Sequence, residues 1–122
     1  MKDLYTYKAI VDKVVDGDTL KVTIDLGFTV LWKSSCRFYG VNTPELKSKD
    51  AGQKSRAQAA KKFVSDTLPQ GSEILIHSRE LDKYGRPLVD IFYGEGFAQH
   101  LNQQLIEKNY AVAFMVDNTN KQ

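Results

Sequence analysis

Leu20, Val22 and Ile24 alternate with Thr19, Lys21, Thr23 and Asp25, the period of two expected of a strand with one buried face. Gly27 interrupts the pattern, and Phe28, Val30 and Trp32 then alternate with Thr29, Leu31 and Lys33. Cys36 and Phe38 flank Arg37, so the second alternation predicts a strand running from Phe28 to Phe38, with Trp32 packed into the sheet's interior. The segment Tyr5 to Val15 is rich in β-branched and aromatic residues and reads as a further strand. The first forty or so residues are therefore expected to form a three-stranded meander.

After Pro44 the period changes. In "AGQKSRAQAAKKFVSDTL", Ala57, Ala60, Val64 and Leu68 recur at helical spacing, with Lys54, Lys61 and Lys62 elsewhere on the wheel. Pro69 and Gly71 end that helix. "SEILIHSREL" and "PLVDIFY" then read as antiparallel strands joined by a turn at Asp82–Gly85. Past Gly94 and Gly96, a second helix is expected in which Ala98, Leu101 and Leu105 share a face, with His100 on its surface and His77 on a strand surface. Five strands, with helices after the third and fifth, predict a mainly β, α+β fold: a five-stranded Greek-key OB barrel with two helices. One domain spanning 1–122 is expected, with an ordered core over about 5–116 and a polar tail at 117–122.

Composition narrows the function without choosing it. The hydrophobic fraction is 42% and the charged fraction 26%, as in ordinary globular domains. No apolar run is long enough to span a bilayer, so no membrane partner is expected. The N-terminal "MKDLYTYKAI" lacks the apolar core of a signal peptide. Cytoplasmic residence is the default expectation, although a processed secreted chain would read the same way. Cys36 is the single cysteine, which excludes an internal disulfide, and with His77 and His100 far apart argues against a zinc site. Cys36 is expected to be a small buried hydrophobe. A net charge of +2 permits a nucleic-acid partner but does not demand one.

Three stretches carry candidate chemistry. In "VVDGDTLKV", Asp16 and Asp18 flank Gly17, leaving a carboxylate at the head of a strand. Oxygen donors on such a turn suit a hard cation such as Ca²⁺, and a plain Asp-Gly hairpin is the ordinary alternative. In "RFYGVNTPELKSKD", alternation sends Arg37 away from the face of Cys36 and Phe38. Asn42, Thr43 and Glu45 follow with an amide oxygen, a backbone carbonyl and a carboxylate. Pro44 restricts Thr43 to extended geometry, holding its carbonyl in place. Finally, "DKYGR" places Gly85 in a turn before Arg86 and could present Lys83 and Tyr84 to a nucleotide. Its ordinary alternative is again a hairpin.

Taken in order, "DGDT", "R-x4-NTPE" and "DKYGR" resemble the staphylococcal nuclease-like (thermonuclease) domain family, over about Lys8 to Asn118. The resemblance implies an OB barrel and Ca²⁺-dependent hydrolysis of DNA and RNA, single-stranded or frayed, with 5′ P–O cleavage leaving 3′-phosphates. It also implies a monomeric enzyme holding one ion. Position by position, it makes Arg37 and Arg86 the catalytic arginines and Glu45 the catalytic glutamate. Asp18 aligns with the metal-binding aspartate and Thr43 with the backbone-carbonyl ligand. Asn42 falls where the family often has a second aspartate, so it would keep an oxygen ligand and lose a charge. Lys83 and Tyr84, presented by their turn, are expected to bind the substrate. "AVAFMVD" has no tyrosine against the nucleotide, so Phe114 or Met115 is expected to make that contact. The chain ends at Gln122, before the third helix of longer members. Two other classes stay open: a non-catalytic OB module that binds single strands by charge and stacking, and a protein-interaction domain.

Overall fold

The alternating residues form β1 (Thr6–Asp16), β2 (Thr19–Asp25) and β3 (Leu31–Phe38), paired consecutively and antiparallel, in the computed structural model, which describes residues 4–114. After these come β4 (Val41–Asn42), α1 (Ala51–Thr67), β5 (Glu73–Leu81), β6 (Pro87–Tyr93), β7 (Gln99–His100), α2 (Leu101–Glu107) and β8 (Val112–Ala113). β5 pairs antiparallel with both β1 and β6. β6 then runs parallel to the end of β3, matching Arg37 with Leu88 and Phe38 with Val89. That last pairing closes five long strands into an OB-like barrel with two helices. Met115 and the predicted tail lie outside the described residues. No helix among the described residues is long and apolar enough to cross a membrane.

The inward positions of every long strand meet in one core. Leu20, Val22, Cys36, Ile74, Val89 and Ile91 are fully buried, and Phe38 is nearly so. Burial pushes the Cys36 thiol up to about 12, which suits a side chain that serves as packing. α1 turns Ala57, Ala60 and Val64 inward, and Leu68 just past its end is buried with them. The helix starts where Asp50 accepts a hydrogen bond from the Gln53 N–H at 3.1 Å, a side-chain N-cap.

Four expectations are corrected. β3 begins at Leu31, not Phe28, because Gly27, Phe28 and Thr29 all adopt positive φ and form the hairpin turn. Phe28 is 97% exposed there. Trp32 pairs with buried Ile24 near the start of β3, but is itself 46% exposed. Ala98 precedes α2 and is exposed, so the helix's buried face is Leu101, Asn102 and Leu105. His100 is the helix's N-cap rather than a surface position along it; it stacks on Phe92 and its Nε2 lies 3.3 Å from Asp90.

Candidate active site

Tight turns and strand register bring the three sequence stretches together. Asp16 pairs with Thr19, so Gly17 and Asp18 make the whole β1–β2 turn. Thr19 in turn pairs with Arg37, and the Phe38 N–H donates to the Asp18 carbonyl at 2.9 Å. Arg37 therefore emerges beside Asp18. Across the closing seam Arg37 is matched with Leu88, two residues beyond Arg86, so both arginines emerge at one end of the barrel. Gly17 is required for a close approach: a Cβ there would lie 2.7 Å from Ala60 Cβ and 3.1 Å from Thr43 Cγ2. Helix α1 can press on the turn only because that side chain is missing.

A cleft of ≈ 380 Å³ opens at this end, lined by residues of all three stretches. Arg37, Glu45, Arg86, Asp18, Asn42 and Thr43 all face it, whereas Lys83, Tyr84 and Phe114 lie outside its lining. Asp18 is 8% exposed. Its Oδ1 accepts from Thr19 Oγ1 at 3.1 Å, and its Oδ2 accepts from the Thr43 N–H at 3.3 Å. The same Oδ2 lies 3.3 Å from a terminal nitrogen of Arg37, which also donates to Asn42 Oδ1 at 2.9 Å. One guanidinium thus ties the "DGDT" turn to the "NTPE" loop. Short β4 pairs Asn42 with Val112, and the Phe114 N–H donates to the Gly40 carbonyl at 2.8 Å, pinning that loop from the other side.

Arg86 is held by its own turn. Asp82 Oδ2 accepts from Arg86 Nε at 2.8 Å, and Oδ1 accepts from the backbone N–H groups of Tyr84 and Arg86 at 2.8 and 2.9 Å. Gly85, at φ 83°, lets the chain close around that carboxylate. Partial burial pulls the Asp82 pKa upward, but the two backbone hydrogen bonds and the guanidinium outweigh it, and the net shift is downward. Exposed Tyr84 carries Lys83 Nζ 5.3 Å and Arg86 Cζ 5.7 Å from its ring centroid.

Asp16, Lys47 and Asp82 join the picture without having been singled out for the site from the sequence. Asp16 and Lys47 line the cleft; Asp16 was legible as the first carboxylate of "DGD" and Asp82 as the head of "DKYGR". The Asp16 carboxyl is raised, first by burial and then by the Asp18 charge, with Glu45 adding to the effect and Lys61 and Lys47 opposing it. Among the described residues, no three His, Cys, Asp or Glu side chains form a ready ligand group. A cation held by Asp18 would therefore complete its shell with neutral oxygens, the Asn42 amide and the Thr43 carbonyl, a donor type suited to a hard ion.

Residues 35–122 match the family model described as staphylococcal nuclease homologue. The chain is also 31% identical over 117 residues to endonuclease YhcR of Bacillus subtilis (strain 168), covering 90% of this chain and 9% of that protein. It thus corresponds to a small part of that much longer relative.

Proposed function

We propose that this chain, which belongs to the staphylococcal nuclease homologue family, hydrolyses phosphodiester bonds of DNA and RNA in the cleft between the β1–β2 turn and the "NTPE" loop. The observation that carries the reading is the convergence of Arg37, Arg86, Glu45 and Asp18 on one cleft. Attack on a phosphodiester builds negative charge on the non-bridging oxygens. A planar guanidinium can pair with two of them at once, which an ammonium cannot. Arg37 and Arg86 are each oriented by a carboxylate, so little reorganisation is needed when that charge appears. Exposed Glu45 is placed to take a proton from water as general base. Asp18, Asn42 and Thr43 would hold a Ca²⁺ ion, which would supply further charge neutralisation. A relative named an endonuclease supports the reaction class. The cleft's volume suits one nucleotide unit of a single or frayed strand better than an intact duplex. Tyr84, beside Arg86, and Phe114 are both exposed and offer faces on which bases stack. We place the activity in a monomer.

The test is incubation of plasmid, single-stranded DNA and RNA with the purified chain across millimolar Ca²⁺, with and without chelator. Cleavage to products ending in 3′-phosphates, abolished by chelation, is expected. Intact substrates at every Ca²⁺ concentration would instead leave the non-catalytic OB module as the reading.

A further inference from the structure

Outside the cleft, the outer face of β1–β3 gathers lysines that no described acid fully neutralises. Register places Lys13 directly opposite Lys21, Lys21 opposite Ser35, and Lys33 opposite Thr23. Like charges facing each other across a ladder destabilise a sheet. Neither Lys13 nor Lys21 has an ion-pair partner among the described residues. Lys33 reaches across to the neighbouring strand, its Nζ donating to Thr23 Oγ1 at 3.0 Å. Asp12 lies 3.7 Å away, yet the Lys33 side chain remains 80% exposed. Asp12 is itself engaged, accepting from Thr23 Oγ1 at 2.7 Å. A groove of ≈ 270 Å³ runs over this surface, lined by Asp12, Lys21, Val22, Lys33, Ser34 and Ser35.

The groove points at the cleft. Arg37, Ser35 and Lys33 project from one face of β3 at alternate positions, and Lys21 stands beside Ser35. At the strand rise, Lys21 and Lys33 therefore lie about 7 and 13 Å along the strand from Arg37. Those steps are comparable to the spacing of successive phosphates on an extended strand. Lys13 widens the strip by one strand. We propose that this strip is a track for a single polynucleotide strand, holding backbone phosphates beyond the bond seated in the cleft. It rests on the nucleic-acid substrate of the proposed function and extends it from one nucleotide to a longer segment.

The test compares two ligands by fluorescence anisotropy, in chelator so that no cleavage occurs: a thymidine dinucleotide, and an oligothymidylate of about 16 nucleotides, the upper range for one OB barrel. The wild-type chain is compared with Lys13→Gln/Lys21→Gln/Lys33→Gln and with the charge-matched control Lys54→Gln/Lys62→Gln/Lys108→Gln. Thermal melting followed by circular dichroism checks that all three are folded. The track variant should lose about tenfold or more in affinity for the long ligand, keep its affinity for the dinucleotide, and show a salt slope smaller by about 2, from three phosphate contacts at ~0.7 each. The control should bind as wild type. The proposal is overturned if both triple variants weaken alike, if the track variant binds the long ligand normally, or if wild type does not prefer the longer strand. Cleavage without length-dependent affinity would keep the nuclease reading and remove the track. Length-dependent affinity without cleavage would do the reverse.

Discussion

Arg37 and Arg86 reach the cleft already paired, one to Asp18 and the other to Asp82. Pairing fixes each guanidinium while leaving other N–H groups for phosphate, so their contribution should appear in the transition state more than in binding. Arg37→Ala, Arg86→Ala and Glu45→Gln are each expected to lower turnover by roughly a hundredfold or more, with a smaller loss of nucleotide affinity. Single-turnover cleavage and binding in chelator separate the two, and near wild-type turnover in Glu45→Gln would remove its role as base. Asp16 answers to pH. Its folded pKa lies above the ordinary value because burial and the Asp18 charge penalise the ionised form. It therefore stabilises the fold fully below its unfolded pKa of ~4, and that contribution is lost as pH rises through the folded value. Asp16→Asn should accordingly raise the melting temperature at neutral pH in chelator, with the gain disappearing below about pH 4. An equal gain at both pH values would mean that packing, not charge, is responsible.

The β1–β2 turn and the β5–β6 turn position the site in different ways. In the first, glycine is needed for space: the absent Cβ would meet helix α1 at Ala60, including its backbone carbon at 3.3 Å. Gly17→Ala should cost about 1–3 kcal/mol of stability by overpacking, measured by urea unfolding, and should reduce turnover by displacing Asp18. Unchanged stability would show that α1 rides easily on the turn. In the second turn the Asp82 carboxylate accepts three hydrogen bonds from Tyr84 and Arg86. Asp82→Ala is expected to cost about 1–2 kcal/mol and to lower turnover several-fold by freeing Arg86. Because the folded Asp82 pKa is depressed, its contribution is present above its unfolded pKa and is lost as pH falls through the folded value. The stability difference between wild type and Asp82→Ala should therefore shrink in acid.

The barrel as a whole depends on its shortest seam, the two parallel pairs between β3 and β6. Asn102 reinforces that seam from α2. Its Oδ1 accepts from the Ile91 N–H at 2.8 Å, and its Nδ2 donates to the carbonyls of Tyr39 and Val89 at 2.9 and 3.0 Å. The amide is buried, so its removal deprives the chain just past β3 and strand β6 of a shared partner. Asn102→Ala should destabilise by about 3 kcal/mol, from lost hydrogen bonds and desolvated backbone groups, and the loss should be seen in chemical denaturation. Loss below ~0.5 kcal/mol would mean that the seam holds without the helix.

Local pattern alone determined the long strands, the first helix and the order of the three chemical stretches. A period of two in Leu20–Ile24 and a period near 3.6 in Ala57–Leu68 each follow from burying one face. Arg37, Glu45, Arg86, Asp18, Asn42 and Thr43 were singled out by the family that the three stretches resemble in their order, since each stretch alone reads equally well as an ordinary turn or loop. Where β3 began was not legible, since Phe28 and Val30 continue the alternation while positive φ at Gly27–Thr29 turns the chain away. Trp32 likewise carried the right period but is 46% exposed beside buried Ile24. Tertiary structure alone decided that Arg37 and Arg86, 49 residues apart in number (86 − 37), emerge at one end of the barrel. It also decided that Glu45 adds its charge to the β1–β2 turn at Asp16, and that Lys13, Lys21 and Lys33 share one outer face. The physical reason is the same in each case: strand register and barrel closure join residues whose separation along the chain carries no trace of their contact.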